Sequence, residues 1–214
     1  MTETNRTSRR SDRDAGAASA APLRGLVLCG GRGTRLGRDK GEVDYHGRSQ
    51  AEWLHGLLRR FCADVLVSIR PEQAGRLPYA RLPVVEDRAG QGAGPAAGLL
   101  AAWDRAPDSA WLVVAADLPL VDLATLEALT AARDSSKAAT AFRHPDGTPE
   151  PLCSIWEPRA RESVENAPGG SLRRVLERVP VAFVAPPDPE RLASVNTPAD
   201  DERVRGRLRV QRRD

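Results

Sequence analysis

A glycine-rich segment with cationic side chains, residues 29–40, contains the residue types that bind phosphate. Four glycines lie within eight residues, at positions 30, 31, 33 and 37, and the same segment carries Arg32, Arg35, Arg38 and Lys40. Because glycine has no Cβ, backbone N–H groups in such a loop can approach and surround an anion. Guanidinium and ammonium groups beside them neutralise phosphate charge. The segment therefore predicts a polyphosphate-binding loop.

Two well-known nucleotide-binding loops do not match this segment. A Walker A loop ends in Gly-Lys-Ser or Gly-Lys-Thr, whereas Lys40 follows Asp39 and precedes Gly41. The dinucleotide-binding fingerprint needs Gly-x-Gly-x-x-Gly, and counted from Gly31 its last position is Leu36. A phosphate loop of another class and an ordinary glycine-rich turn with solvated arginines are the alternatives that remain.

Strands and helices alternate along the chain and must position this loop. The pattern predicts a three-layer α/β fold with a mostly parallel sheet. Helices are predicted from the capping box at Ser49, and over 96–103, 122–133, 158–166, 171–178 and from Pro198. Strands are predicted at 25–28, 64–69, 82–85, 111–116, 138–142, 152–156 and 181–184.

Polar residues follow several of the predicted strands. Asp87 follows the third strand, Asp117 follows the long apolar run of the fourth, and Asn196 comes near the end of the chain. Because ligands bind at the carboxyl ends of strands in open α/β sheets, we expect these residues to converge with the loop. A carboxylate is the ligand that Mg²⁺ prefers, so Asp117 is a candidate metal ligand; the alternative is that it caps the turn before Pro119.

The whole pattern resembles the molybdenum cofactor guanylyltransferase family of MobA-like NTP transferases, over residues 24–203. That family opens with a strand ending in Leu-Ala-Gly-Gly, followed by an Arg-Met-Gly-like segment and a lysine. Here the corresponding residues are Leu28-Cys29-Gly30-Gly31, Arg35-Leu36-Gly37 and Lys40. Residues 92–98 and 195–198 resemble the family's Gly-Pro-x-x-Gly and Asn-Thr-Pro segments. The resemblance implies a Rossmann-like nucleotidyltransferase fold.

The resemblance also implies the roles of individual residues. Asp117 would bind magnesium, Asn196 would contact the acceptor, and Arg35, Lys40 and Asp117 would be catalytic, with help from Arg32. Ser68 stands where an asparagine is common, and Glu150 replaces a histidine, so Glu150 is assigned no role. Cys29 is interpreted as an alanine substitute whose backbone faces the nucleotide. The implied nucleotide contacts are Leu28, Cys29, Gly30, Gly31, Gly33, Lys40, Ser68, Asp87 and Asp117.

The reaction implied by the resemblance is transfer of GMP from GTP to the terminal phosphate of molybdenum-molybdopterin, with Mg²⁺ as cofactor and pyrophosphate as second product. Molybdoenzyme maturation proteins are further implied partners. In the family, members with Leu-Ala-Gly-Gly tend to use GTP and members with Leu-Ala-Ala-Gly tend to use CTP. The third residue of this motif is Gly30 here, so the resemblance favours guanine as the base. Three alternatives stay open: a cytidylyltransferase, a nucleotidyltransferase with another phosphorylated acceptor, and a GTP-binding partner protein without turnover.

Size and composition set the remaining expectations. The 214 residues suit one α/β domain, predicted over residues 23–208, with a disordered tail at 1–22 and a short tail at 209–214. The net charge of +3 does not favour nucleic-acid binding, and no apolar run is long enough to cross a membrane. Three scattered cysteines without a metal-binding spacing indicate a reduced, cytoplasmic setting.

Only two of the 32 basic residues are lysines, Lys40 and Lys137. In a chain that uses arginine at nearly every basic position, a lysine in the loop suggests a site that needs a compact point charge, since an ammonium group is smaller than a guanidinium.

Overall fold

The protein is built on one twisted sheet. The structure, a computed structural model, describes residues 20–30, 37–87 and 94–211. Seven strands pair in the order β3-β2-β1-β4-β6-β5-β7. They span Leu23–Leu28 (β1), Val65–Ile69 (β2), Val84–Glu86 (β3), Ala110–Ala115 (β4), Ala139–Arg143 (β5), Pro149–Trp156 (β6) and Val181–Val184 (β7).

Six α-helices connect or flank the strands within the described residues. They span Gln50–Leu58 (α1), Pro95–Arg105 (α2), Leu123–Ala131 (α3), Arg161–Glu165 (α4), Leu172–Leu176 (α5) and Pro198–Gln211 (α6). Short 3₁₀ turns lie at Lys40–Glu42, Pro71–Gln73, Tyr79–Arg81, Pro158–Ala160, Pro168–Gly170 and Pro189–Leu192.

Helices cover both faces of the sheet, which makes the three layers that the sequence predicts. Helices α1 and α3 contribute Leu54, Leu58, Leu126 and Leu129 to the core on one face. Helices α2, α4 and α5 pack on the other face, where Trp103 is fully buried. Strand β4 lies between β1 and β6, so all six of its residues are buried. Coverage on both sides explains its uninterrupted apolar sequence.

The prediction of a mostly parallel sheet is confirmed, since four of the six strand pairs are parallel. Strand β6 is the exception and runs antiparallel to both of its neighbours. It begins at Pro149, three residues before the predicted strand, because its first residues pair with the end of β5 beyond a bulge.

Local capping signals begin the helices where the sequence predicts. Ser49 and Glu52 form a reciprocal capping box at α1, and the side chain of Asp122 accepts a hydrogen bond from the N–H of Thr125 at α3. Trp53 of α1 is partly buried against the core, and its indole stacks on His46 with ring centroids 4.1 Å apart.

Helix α6 returns the chain to the edge of the sheet that carries the predicted loop. It packs on a small apolar cluster that includes Val43, Tyr45, Leu120 and Val204. In the part of the chain that the structure describes, no helix combines the length and the apolar character needed to cross a bilayer.

Candidate nucleotide site

Strands β1, β2, β3 and β4 run parallel, so their carboxyl ends meet at one edge of the sheet. Gly30 follows β1, Asp87 follows β3 and Asp117 follows β4. The residues that the sequence predicts from separate strand ends are therefore brought to one edge. This is where ligands bind in open α/β sheets.

Lys40, Asp117 and Asn196, hereafter the Lys40 cluster, are joined directly. The Nζ atom of Lys40 lies 3.3 Å from Oδ2 of Asp117 and donates a hydrogen bond of 2.7 Å to Oδ1 of Asn196. The side chains of Lys40 and Asp117 are 19% and 16% exposed. The ammonium group of Lys40 thus lies between a carboxylate oxygen of Asp117 and the amide oxygen of Asn196, at the carboxyl edge of the sheet.

The other oxygen of Asp117 makes the carboxylate a candidate metal ligand. Its Oδ1 atom is buried and has no hydrogen-bond partner among the residues that the structure describes. A buried carboxylate oxygen without a partner is costly, and a divalent cation with oxygen ligands would satisfy it. The backbone carbonyl of Asp117 accepts a hydrogen bond from the N–H of Val195 (2.8 Å), which ties this position to the segment leading into α6.

Within the described ranges, no group of three or more His, Cys, Asp or Glu side chains is placed to hold a metal ion. A cation at Asp117 would therefore take its other ligands from water and substrate phosphates. This division of ligands is the usual one for Mg²⁺ at phosphate-transfer sites.

A second group, hereafter the Asp87 cluster, consists of Gly30, Ser68, Arg70 and Asp87. The hydroxyl of Ser68 donates to Oδ1 of Asp87, and Nη1 of Arg70 donates to the carbonyl of Gly30 (2.8 Å). Burial raises the pKa of Asp87 above its ordinary value, against the lowering effects of the Ser68 hydrogen bond and the Arg70 charge. The cluster holds a partly desolvated carboxylate beside the start of the loop.

Ser68 is predicted to contact the nucleotide, and the structure places it in a supporting position. Its side chain is buried and donates to Asp87. A Cβ on Gly98 of α2 would come within 3.0 Å of Oγ of Ser68, so only glycine lets the helix approach β2 this closely. Gly98 belongs to the predicted Gly-Pro-x-x-Gly segment, and Pro95 is the first residue of α2, as proline often is.

Cys29 is held by both its side chain and its backbone. Its side chain is buried, as expected for an alanine substitute, and its N–H donates to the carbonyl of Ser68 (2.9 Å). Its carbonyl accepts from Nε2 of Gln73 (3.2 Å). Cys29 therefore has no N–H left for a phosphate. Burial raises the pKa of its thiol, which supports the view that it is not a nucleophile.

Arg38, the last arginine of the loop, is bound to the C-terminal helix. Its Nη2 donates to Oδ2 of Asp201 (2.6 Å), and Tyr45 donates its hydroxyl to Oδ1 of the same carboxylate (2.7 Å). Arg205 completes the group at 3.1 Å from Oδ2. These contacts anchor the end of the loop to α6.

Some predicted residues lie outside the described residues. They include Gly31, Arg32, Gly33, Arg35 and Leu36 of the loop, together with residues 92 and 93 of the second glycine-rich segment. The roles predicted for them remain predictions.

Leu28, a predicted nucleotide contact and the last residue of β1, does lie within the described residues. It is nearly fully buried, and its carbonyl accepts a hydrogen bond from the N–H of Ala116 (3.0 Å).

Sequence reasoning did not single out Arg70, and it assigned no role to Glu150. Arg70 directly follows β2, and a charged residue at a strand's carboxyl end was a signal available in the sequence. Glu150 lies at the start of β6, where its Oε2 atom lies 3.3 Å from Nε2 of His144 and its Oε1 accepts from the N–H of Leu152 (2.8 Å). Burial raises the pKa of Glu150, and the negative charge of Asp117 adds to this effect.

Comparison with known proteins places this geometry in a family. The model of the MobA-like NTP transferase domain matches residues 25–183. The molybdenum cofactor guanylyltransferase of Ectopseudomonas mendocina is 36% identical over 183 residues, which cover 83% of this chain and 89% of the relative. A molybdenum cofactor biosynthesis bifunctional protein from Synechocystis is 33% identical over 186 residues. That match covers 85% of this chain and 53% of the relative, so the chain spans about half the length of the bifunctional protein.

A solved structure supports the same assignment. The molybdopterin-guanine dinucleotide biosynthesis protein A of Archaeoglobus fulgidus superposes with a TM-score of 0.73 and 25% identity, covering 87% of this chain and 99% of that one. The family model, the curated relatives and the sheet with its polar carboxyl edge agree. The chain therefore belongs to the family of MobA-like NTP transferases, which are nucleotidyltransferases.

Proposed function

We propose that the protein transfers GMP from GTP to the terminal phosphate of a molybdopterin-type cofactor, forming a guanine dinucleotide and pyrophosphate. The names of the relatives support both donor and acceptor. The observation that carries the proposal is the Lys40 cluster. A single ammonium group is held between Asp117 and Asn196, at the edge of the sheet where Gly30 and Asp87 also lie.

The chemistry needs alignment and charge neutralisation. An oxygen of the acceptor's terminal phosphate forms a bond to the α-phosphorus of GTP, and the bond from that phosphorus to the bridging oxygen of the β-phosphate breaks. The electron pair leaves with pyrophosphate. Because the attacking phosphate is already ionised at neutral pH, no general base has to remove a proton. Correct positioning and preorganised positive charge then supply the rate enhancement.

The described residues divide this work. Lys40 places its charge on the phosphates as its contacts to Asp117 and Asn196 rearrange. Arg35, which lies outside the described residues, is proposed to join it there. Asp117 holds a divalent cation, proposed to be Mg²⁺, through the carboxylate oxygen that lacks a partner among the described residues. When bound, the cation neutralises charge on the nucleotide phosphates and the leaving pyrophosphate. Asn196, which accepts a hydrogen bond from Lys40, is proposed to contact the acceptor.

The Asp87 cluster supports guanine as the base. A buried, hydrogen-bonded carboxylate can accept hydrogen bonds from the N–H groups on the edge of guanine, and cytosine offers fewer such donors. Gly30 leaves the space that Asp87 occupies, because a side chain at residue 30 would overlap Oδ2 of Asp87. The glycine associated with GTP in the family is therefore the residue that permits this position of Asp87.

Pyrophosphate release tests the proposal. The purified protein is incubated with Mg²⁺, molybdenum-bound molybdopterin and either GTP or CTP. We expect release that depends on both acceptor and metal, with a preference for GTP. A preference for CTP would keep the reaction and overturn the base assignment. Tight GTP binding without release would indicate a partner protein without turnover, and release with another phosphorylated acceptor would overturn the proposed acceptor.

The remaining partners and the location are also part of the proposal. Association with molybdoenzyme maturation proteins rests on the family resemblance of the sequence, and a cytoplasmic location rests on the cysteines. All three cysteines are buried and free of disulfides. Co-purification from cells that make molybdoenzymes tests the association.

A further inference from the structure

A buried polar network lies directly behind Lys40. Its members are Asp39, Gln73 and Tyr79, hereafter the Asp39 network. The hydroxyl of Tyr79 donates to Oδ1 of Asp39 (2.7 Å), and Nε2 of Gln73 donates to Oδ2 of Asp39. Gln73 and Tyr79 are 0% and 1% exposed. Neither residue belongs to the Lys40 cluster or to the Asp87 cluster.

Asp39 is the residue through which this network reaches Lys40. It caps the 3₁₀ turn Lys40–Glu42, and its Oδ1 accepts from the N–H of Gly41 (3.0 Å). The carboxylate of Asp39 thus receives three hydrogen bonds, one from the turn and two from the segment between β2 and β3. A carboxylate held in this way leaves the backbone of the next residue little freedom.

Gln73 connects the same network to the start of the phosphate loop. Its Oε1 accepts from the N–H of Arg70 (2.7 Å), which fixes the orientation of the amide. Its Nε2 also lies 3.2 Å from the carbonyl of Cys29 and 3.1 Å from Oη of Tyr79. One fully buried amide therefore contacts both ends of residues 29–39.

This arrangement explains why a glycine follows Asp39 and Lys40 in the sequence. A Cβ on Gly41 would come within 3.0 Å of Oη of Tyr79, so the turn can close over the phenol only with glycine at that position. Burial raises the pKa of Tyr79, and its hydrogen bond to Asp39 adds to the effect. The phenol therefore keeps its proton and remains a donor to Asp39 throughout the physiological pH range.

We infer that Gln73 and Tyr79 are positioning residues for the nucleotidyl transfer: by holding Asp39 they fix the turn from which Lys40 reaches Asp117 and Asn196. Lys40 is the residue that touches the phosphates, and Tyr79 and Gln73 act through it. The inference rests on the proposed function for the role of Lys40, and its geometry can be measured without turnover.

The composition of the chain provides a direct measurement. Because Lys40 and Lys137 are the only lysines, trace labelling of amines with acetic anhydride, followed by mass spectrometry, reports Lys40 against Lys137 as an internal reference. Removing the Tyr79 hydroxyl with Y79F should loosen the turn. We expect the Lys40 to Lys137 labelling ratio to rise about three- to tenfold, the range of one lost hydrogen bond.

A matched control separates positioning from general loss of stability. Thr140 on β5 is fully buried, and its hydroxyl accepts from the N–H of Asp134 (3.1 Å), away from the Lys40 cluster. T140V also removes one buried hydroxyl but should leave the labelling of Lys40 and the activity unchanged. An unchanged ratio in Y79F, or an equal rise in T140V, would overturn the inference.

A pair of substitutions tests the same geometry by compensation. G41A alone places a methyl group against the Tyr79 hydroxyl, so the labelling ratio should rise and pyrophosphate release should fall. In the Y79F background the hydroxyl is absent, and G41A should cost less than it does in the wild-type chain. Equal costs in both backgrounds would contradict the assigned contact.

The two proposals fail in different ways. If Y79F changes the labelling ratio but no acceptor supports release with GTP, the positioning inference stands and the proposed function fails. If release with GTP is observed and K40A removes the effect of Y79F on kcat, both stand. An effect of Y79F on kcat that persists undiminished in K40A would show that Tyr79 does not act through Lys40.

Discussion

A side chain on Gly30 would collide with the carboxylate of Asp87. A Cβ built at position 30 comes within 3.0 Å of Oδ2 of Asp87, closer than real Cβ atoms approach a neighbour. Asp87 has little room to move away, because Ser68 holds its other oxygen and Gly98 of α2 packs behind Ser68. The choice of residue 30 therefore determines where the buried carboxylate can lie.

This relationship predicts the outcome of Gly30→Ala. The methyl group should displace Asp87 from its position and weaken GTP binding by about tenfold, or about 1.4 kcal/mol, as expected for one lost charge-assisted contact. Binding of GTP and CTP by titration calorimetry measures the change. The preference for GTP over CTP should shrink; an unchanged ratio of the two affinities would show that Asp87 does not read the base.

Asp117→Ala should abolish transfer while the fold is retained, because the hydrogen bond that Asp117 accepts from Val195 involves only its backbone. The variant removes both the candidate metal ligand and the partner of Lys40. Pyrophosphate release should fall to background and no longer respond to Mg²⁺, with an unchanged circular dichroism spectrum. Asp64→Asn, at the opposite edge of the sheet, is the control and should keep full activity. Near-normal turnover in Asp117→Ala would contradict the metal assignment.

Lys40→Ala should lower kcat/KM at least about tenfold, which corresponds to about 1.4 kcal/mol of transition-state stabilisation. Lys40→Arg retains the charge but replaces a compact ammonium with a planar fork that cannot fit the same gap between Asp117 and Asn196. We expect only partial recovery in the arginine variant. Steady-state kinetics with GTP measure both, and full activity in Lys40→Arg would show that position 40 needs charge without a particular geometry.

Asp87→Asn should weaken GTP binding and stabilise the folded state, and the gain in stability should depend on pH. Burial raises the pKa of Asp87 above its ordinary value of 3.8, so the folded state binds more protons than the unfolded state as this group titrates. Stability then falls as the pH rises through that window, and the ionised carboxylate is destabilising at pH 7. The asparagine variant should have a higher Tm than wild type at pH 7, and this difference in Tm should disappear near pH 3. The variant should also bind GTP more weakly.

Asp134, whose pKa is shifted in the opposite direction, provides the control for the direction of this stability change. Hydrogen bonds from Ser136 lower the pKa of the exposed Asp134, so its ionised form stabilises the fold above the ordinary pKa. Asp134→Asn should therefore lower the Tm slightly at pH 7 and leave GTP binding unchanged. A higher Tm in both variants would show that the loss of any negative charge stabilises this chain, and that burial of Asp87 is not the cause.

The order of elements could be predicted from local sequence because the signals are local. The capping box at Ser49, the N-cap at Asp122 and the apolar run of β4 depend on residues within a few positions of each other. The loop and the carboxylate of Asp117 were also visible, since glycine content and a charge after a buried strand need no partner to be recognised.

What only the tertiary structure decided is which distant residues meet. The order of the strands brings Lys40 into contact with Asp117, 77 positions along the chain, and with Asn196, 156 positions along it. It also places Gln73 and Tyr79 behind Asp39, although nothing in their spacing indicates a site. Residue types and periodicity determined the fold class and the candidate chemistry of this protein, because these follow from side chains near in sequence. Chain folding alone determined the support behind Lys40 and the fit of Gly30 to Asp87, because both depend on separations in space.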